Sequence, residues 1–199
     1  MSRNPFQIGR RNAVLLTIVL ALSAAGCAKQ EEATPTAQTP PPEATTPAPA
    51  AMTDANIAAI VVAANTIDVE NGELAKSKTK NASVKAFAEQ MITDHKSVNK
   101  QATDLANKLS LTPQDNEAST QLKTTAESTR QGLKGMQGAA FDKAYVDNEV
   151  AYHKAVLDML DSQLLPSAQN PELKSLLESV RPAFVAHLEH AQKLQSTIQ

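Results

Sequence analysis

The chain has a single cysteine, no tryptophan, only 3% aromatic residues and six glycines in 199 positions. One cysteine excludes an internal disulfide framework and any zinc or iron–sulfur site built on several thiolates. The shortage of aromatics removes the stacking platforms that single-stranded nucleic acid needs, and no basic stripe is present to follow a phosphate backbone. Charge of one sign is also scarce: the formal balance is -2, and no acid precedes Cys27 to offset Arg3, Arg10 and Arg11. The 19 basic residues less those three, set against 21 acidic ones, leave a mildly acidic mature chain that is not expected to bind nucleic acid. No apolar/polar alternation is long enough to form a strand. Nucleophile elbow, phosphate-cradling glycine loop and Cys-x-x-Cys are all missing, so nothing in the sequence demands an enzyme.

What is there begins with a three-part leader. Arg3, Arg10 and Arg11 precede the apolar run Ala13–Leu22, and Ser23, Ala24, Ala25 and Gly26 lead into Cys27. That order marks a cleaved export signal, and the run is well short of the ~20 residues that span a bilayer. Leu22-Ser23-Ala24-Ala25-Gly26-Cys27 resembles the lipobox of bacterial lipoproteins. The resemblance implies that residues 1–26 are removed and that Cys27 is acylated. Ala28 in place of Asp implies sorting to the outer membrane, facing the periplasm. Cleavage after Ala25 by ordinary signal peptidase, giving a soluble periplasmic protein, is the alternative. Residues 27–52 follow as a tether: Pro35, Pro40, Pro41, Pro42, Pro47 and Pro49 alternate with Thr, Ala, Gln and Glu, leaving no apolar face to bury.

Residues 53–199 read as helix throughout. Thr53 caps a first helix reaching about Thr79, and Asn81 caps a second reaching about Ser110. Thr112-Pro113 starts a shorter third helix, with proline at the first helical position. Gly132, Gly135 and Gly138 interrupt the chain before a fourth, from about Ala139 to Leu165, closed by Pro166. Asn170-Pro171 opens the last, in which Pro182 predicts a kink or brief break. Val84, Ala88, Met91, His95, Val98, Ala102, Leu105 and Leu109 step by alternating fours and threes, as do Leu173, Leu177, Val180, Phe184, His187, Ala191, Leu194 and Ile198. These are bundle seams. Ile57, Ile60, Ala64, Ile67, Asn71 and Leu74 give the first helix its stripe; Phe141, Tyr145, Glu149, Tyr152, Val156, Met159 and Leu160 give the fourth its face. Two long hairpins joined by a helical connection predict an all-α, ferritin-like four-helix bundle, its crossover lying between the second and third long helices.

Polar residues interrupt the seams. His95 and His187 stand where aliphatic residues belong, and Glu149 is central to its face with His153 one turn on. Buried without partners, such groups would cost several kcal/mol, on the order of a desolvated charge, so they must meet each other or a ligand. The leading reading is a hydrogen-bonded layer that fixes helix register, with no cofactor, in a non-enzymatic bundle that binds an envelope protein or small ligand or supports the envelope, and that reaches the membrane through its anchor. The alternative is a transition-metal site (iron, zinc or copper) using His95, Glu149, His153, His187 and His190, with Asp68 or Glu70 available on the first helix. A di-iron centre departs from its usual pattern here. The residue three before His95 is Ile92, and the residue three before His190 is His187.

With the helices placed, three stretches are similar to those of the bacterial exported proteins grouped as domain-of-unknown-function family 4142. They are Asp68-Val69-Glu70-Asn71-Gly72-Glu73-Leu74-Ala75, then Val84 through His95, then Phe141-Asp142-Lys143-Ala144-Tyr145-Val146 with His153. Pro182 followed by His187-Leu188 completes the likeness. The resemblance spans about Asn56 to Gln195. It implies a ferritin-like bundle exported to the periplasm or outer membrane, with Asp94-His95, His153 and His187 at characteristic positions, and it implies no activity.

Overall fold

The computed structural model describes residues 51–198. The leader, Cys27 and the tether up to Ala50 lie outside the described residues. Within them the chain forms α1 (Asp54–Lys78), α2 (Ala82–Lys108), α3 (Glu117–Gly135) and α4 (Gly138–Met159). A π-turn (Leu160–Leu164) leads into the short α5 (Leu165–Ser167), and α6 (Pro171–Gln195) completes the fold. No strand occurs among the described residues, and none of their helices is long and apolar enough to cross a membrane.

Caps set most of these boundaries. Thr53 accepts from the Asn56 amide while the Asn56 side chain accepts from the Thr53 amide, a reciprocal box at the start of α1. Asn81 and Asn170 each accept two first-turn amides, opening α2 and α6 where the sequence places them. The third helix differs from expectation. It starts at Glu117, capped by Asn116 and Ser119, and not at Pro113. The cause is a tertiary clamp: the Gln114 amide donates to Ala55 O at 3.0 Å, and Asn56 Nδ2 donates to Gln114 O at 3.0 Å. Those bonds hold residues 112–116 extended against the top of α1. α3 also runs through Gly132 to Gly135, so only Met136 and Gln137 separate it from α4.

The four long helices pair as two antiparallel hairpins, α1–α2 and α4–α6. Asp54 accepts from the amides of Gln169 and Asn170, Tyr152 Oη donates to Ala64 O, and Lys108 pairs with Glu172. These contacts make α1–α4 and α2–α6 antiparallel neighbours too. α3 returns the chain along α1 between the hairpins, which is the ferritin-like crossover. It contributes little to the core, burying only Ser119, Ala126 and Leu133, seven residues apart on one stripe.

α6 passes through Pro182 without interruption, whereas α4 departs from regularity. The amide of Leu165 donates to Leu160 O, closing the wide turn immediately before Pro166, which has no N–H to give. The inward face of α4 is also rotated from the predicted one. Tyr145, Val146, Glu149, Val150, His153 and Leu157 are buried, while Tyr152, Val156 and Met159 are only partly so.

The core divides into two apolar clusters. One gathers Ile57, Ile60, Val98, Leu160, Leu177 and Phe184. The other gathers Val84, Phe87, Met91, Phe141, Tyr145 and Ala191. Between them lies a belt of buried polar groups: Asn65, Asp68, Asn71, His95, Glu149, His153 and His187.

Candidate metal centre

Each long helix delivers part of this belt. α1 supplies Asn65 and Asp68, α2 supplies His95, α4 supplies Glu149 and His153, and α6 supplies His187. His95, His153 and Glu149 are at most 1% exposed, His187 2% and Asp68 3%. The rings of His95, His153 and His187 stand 5.2–5.6 Å apart by centroid, with Phe184 as an apolar wall 5.2 Å from His95.

The hydrogen bonds fix which nitrogen of each ring carries its proton. Asn65 Nδ2 donates to Val61 O at 2.8 Å, so its Oδ1 faces His95 Nδ1 at 2.7 Å and must accept from it. His153 Nδ1 donates to the carbonyl of Glu149 at 3.0 Å, and His187 Nε2 donates to Asp94 Oδ2 at 2.9 Å. Each ring therefore turns a bare lone pair inward: His95 Nε2, His153 Nε2 and His187 Nδ1. All three are buried and without a hydrogen-bond partner. The three rings offer ligand nitrogens that lie within 4.8 Å of one another. With bonds of about 2.0–2.1 Å to an ion, closing the set needs each ring to advance by roughly an ångström or less. Anchoring the outer nitrogen to an oxygen acceptor is what orients ligating histidines in metal sites.

Electrostatics keep these rings ligand-ready. Burial, reinforced by the neighbouring imidazoles, lowers His95 to about 2. Burial takes His153 to about 4 against the pull of the Glu149 carbonyl, and it lowers His187 against the opposing Asp94 bond. All three are neutral at pH 7.

The carboxyls lie on the other side of the same space. Asp68 Oδ2 stands 3.5 Å from His95 Nε2, beyond a normal hydrogen bond, and Glu149 Oε2 stands 3.6 Å from His153 Nδ1. Asp68, Glu149 and His153 form a second set of converging donors. Burial, then the Glu149 charge, pushes Asp68 well above the usual carboxylate range; burial raises Glu149 to about 7. The two behave as one pair, the Glu149 charge opposing ionisation of Asp68.

The set fits a borderline ion such as zinc, copper or iron, with imidazole nitrogens and carboxylate oxygens as donors. A register-fixing polar layer accounts for the outer nitrogens, which are bonded. It leaves three inner nitrogens, Asp68 Oδ1 and Glu149 Oε2 with no partner.

Of the residues anticipated from sequence, His95, Glu149, His153 and His187 come together, joined by Asp68. His190 does not. It is exposed, bonded through Nδ1 to Gln90 Oε1 at 3.0 Å and edge-on to Phe87. The α6 stripe continues inward through Ala191, four residues after His187, and this turns His190 to the rim. Glu70 likewise faces α3, paired with Arg130 at 2.7 Å. Asn65 and the role of Asp94 were not anticipated; an Asn near the middle of an otherwise apolar helical stripe was the available signal.

The carboxyl pair gives a pH test on the metal-free protein. Because folding raises the Glu149 pKa, the folded state holds extra proton between about 4.5 and 7. Its stabilising contribution is therefore complete at acid pH and lost as pH rises through 7. Glu149→Gln, neutral at every pH, is expected to exceed wild type by about 1 kcal/mol or more at pH 8 and to lose that margin by pH 5. Thermal unfolding at both pH values, in chelator, reads this. An equal margin at both contradicts it.

Comparison with known proteins agrees with the fold. No curated protein matches the chain. The crystal structure of a DUF305 protein from Streptomyces coelicolor, described as secreted, superposes with a TM-score of 0.61 at 11% identity, covering 72% of this chain and 91% of that one. The sequence profile of "Domain of unknown function (DUF4142)" matches residues 38–194, and the chain belongs to that family.

Proposed function

We propose that this protein is an exported metal-binding bundle, held to the periplasmic face of the outer membrane by acylated Cys27, and that it binds one zinc, copper or iron ion without catalysing a reaction. The observation that carries this reading is the convergence of three buried, neutral imidazole lone pairs whose opposite nitrogens are each tied to an oxygen acceptor. His95, His153 and His187 are the nitrogen ligands, and Asp68 is the carboxylate placed to complete the set. Glu149 is the partner that takes up or surrenders a proton. Such a protein stores or hands on an ion in the envelope. Export is supported by the leader and by the secreted character of its structural neighbour.

Metal analysis of protein purified from the envelope, then of protein dialysed against each ion in turn, tests the site. One ion per chain for at least one of the three is expected; none for any of them overturns the reading. Cys27→Ser is expected to move the protein to the soluble fraction. If it stays with the membrane, the anchor is something else.

A further inference from the structure

An ion held by buried side chains needs a way in, and the three rings differ in how they are tied. His95 is anchored by Asn65, which is itself 1% exposed and bonded to Val61 O. His153 is anchored by a carbonyl of its own helix, that of Glu149. Turning His95 outward would strand a buried acceptor, and turning His153 outward would break a bond inside the core. His187 is different. Its ring is only 2% exposed, yet the side chain of its anchor, Asp94, is 43% exposed. When His187 swings out, the Asp94 carboxylate stays in water and the imidazole joins it there, so no buried group loses its partner.

The helix arrangement puts this ring at an accessible edge. α3 lies over the side of the bundle formed by α1 and α4. The α2–α6 seam, where Asp94 meets His187, is edged one turn further on by exposed His190 and its partner Gln90. Both bonds across that edge join side chains that reach solvent, and neither ties backbone.

We propose that a bound zinc ion exchanges with solvent through the α2–α6 seam, with His187 as a swinging gate and Asp94 as its latch. The proposal rests on the metal reading of this site: His187 closes over the ion as a ligand and opens by giving up its bond to Asp94. Asp94 is a positioning residue, because it acts through His187.

Zinc-loaded protein is mixed with a chromogenic chelator, at concentrations where the rate no longer depends on the chelator, to give the release rate. Competition with the same chelator gives the dissociation constant, and the release rate divided by that constant is the uptake rate. Loss of either anchor is expected to weaken binding by about 10–100-fold. Asn65→Ala releases zinc faster only in that proportion, leaving the uptake rate unchanged. Asp94→Ala, at a half-exposed position, also unlatches the gate, and its uptake rate rises about tenfold, the loss of one charge-assisted hydrogen bond. High salt removes the steering effect of the Asp94 charge from the comparison. An Asp94→Ala uptake rate no faster than that of wild type, or one matched by Asn65→Ala, overturns the gate and leaves the metal site standing. A wild type that holds no zinc overturns the gate, and the metal reading falls with it only if copper and iron fail to bind as well.

Discussion

His95→Leu is expected to yield a folded protein that holds no stoichiometric ion and gains no stability from one. His95 sits on α2 among Phe184 and the other two imidazoles, in a space that an aliphatic chain of similar volume can fill. Its loss leaves Asn65 Oδ1 without a donor, a cost of about 1–3 kcal/mol. The ion-dependent effect differs in kind. At a hundredfold excess over the dissociation constant, wild type gains about 2.7 kcal/mol from its ion. For a bundle of this size that is roughly 5–11 °C in melting temperature. His187→Leu is expected to behave alike, with Asp94 released to solvent. A layer that only fixed register would give a wild type indifferent to added metal, and melting temperatures of wild type and variant would differ equally with and without chelator.

The second large effect lies one turn from the site, on the α1–α2 seam. Gly72 is helical, where glycine costs about 1 kcal/mol relative to alanine, so its presence needs a packing reason. A Cβ built there would lie 2.9 Å from Ile92 Cγ1 and 3.0 Å from the carbonyl oxygen of Ala88. The oxygen belongs to backbone and cannot rotate away, so α1 and α2 must separate to admit a side chain. Gly72→Val is expected to cost about 3 kcal/mol, at the upper end for an overpacked core. Because Asp68 precedes Gly72 by one turn and His95 follows Ile92 by three residues, the same separation pulls Asp68 from His95. The variant is therefore expected to bind its ion more weakly as well as to melt earlier, read by calorimetry with and without metal. A variant as stable as wild type would mean that the close approach of the two helices is not what glycine serves.

The architecture was legible because periodicity and caps agree in this chain. Asn81 and Asn170 open their helices where a short polar side chain precedes an apolar stripe, and the stripes of α2 and α6 are buried nearly as spaced. What the sequence did not disclose depends on contacts distant along the chain. Pro113 is a good helix opener in isolation, but Gln114 is bonded to Ala55, so the helix waits for Asn116. Spacing alone puts Tyr152 and Val156 on the inner face of α4, and the bundle instead buries Val146, Val150, His153 and Leu157. His95 and His187 stood out as polar residues within apolar seams. His190 carried the same signal of proximity, and only the helical phase set by Ala191 turns it outward. Asn65 and Asp94 could not be recognised as ring anchors without knowing which oxygen each imidazole meets. Those anchors decide the tautomers, and so whether the inner nitrogens can donate lone pairs at all.

The most direct measurement is the X-ray absorption spectrum of the protein loaded with one equivalent of zinc. The account predicts three imidazole nitrogens near 2.0–2.1 Å with outer-ring scattering, plus oxygen, and the loss of this imidazole shell in His187→Leu, which holds no stoichiometric ion. A shell of oxygens without imidazole scattering, or a spectrum unchanged by that substitution, would contradict it.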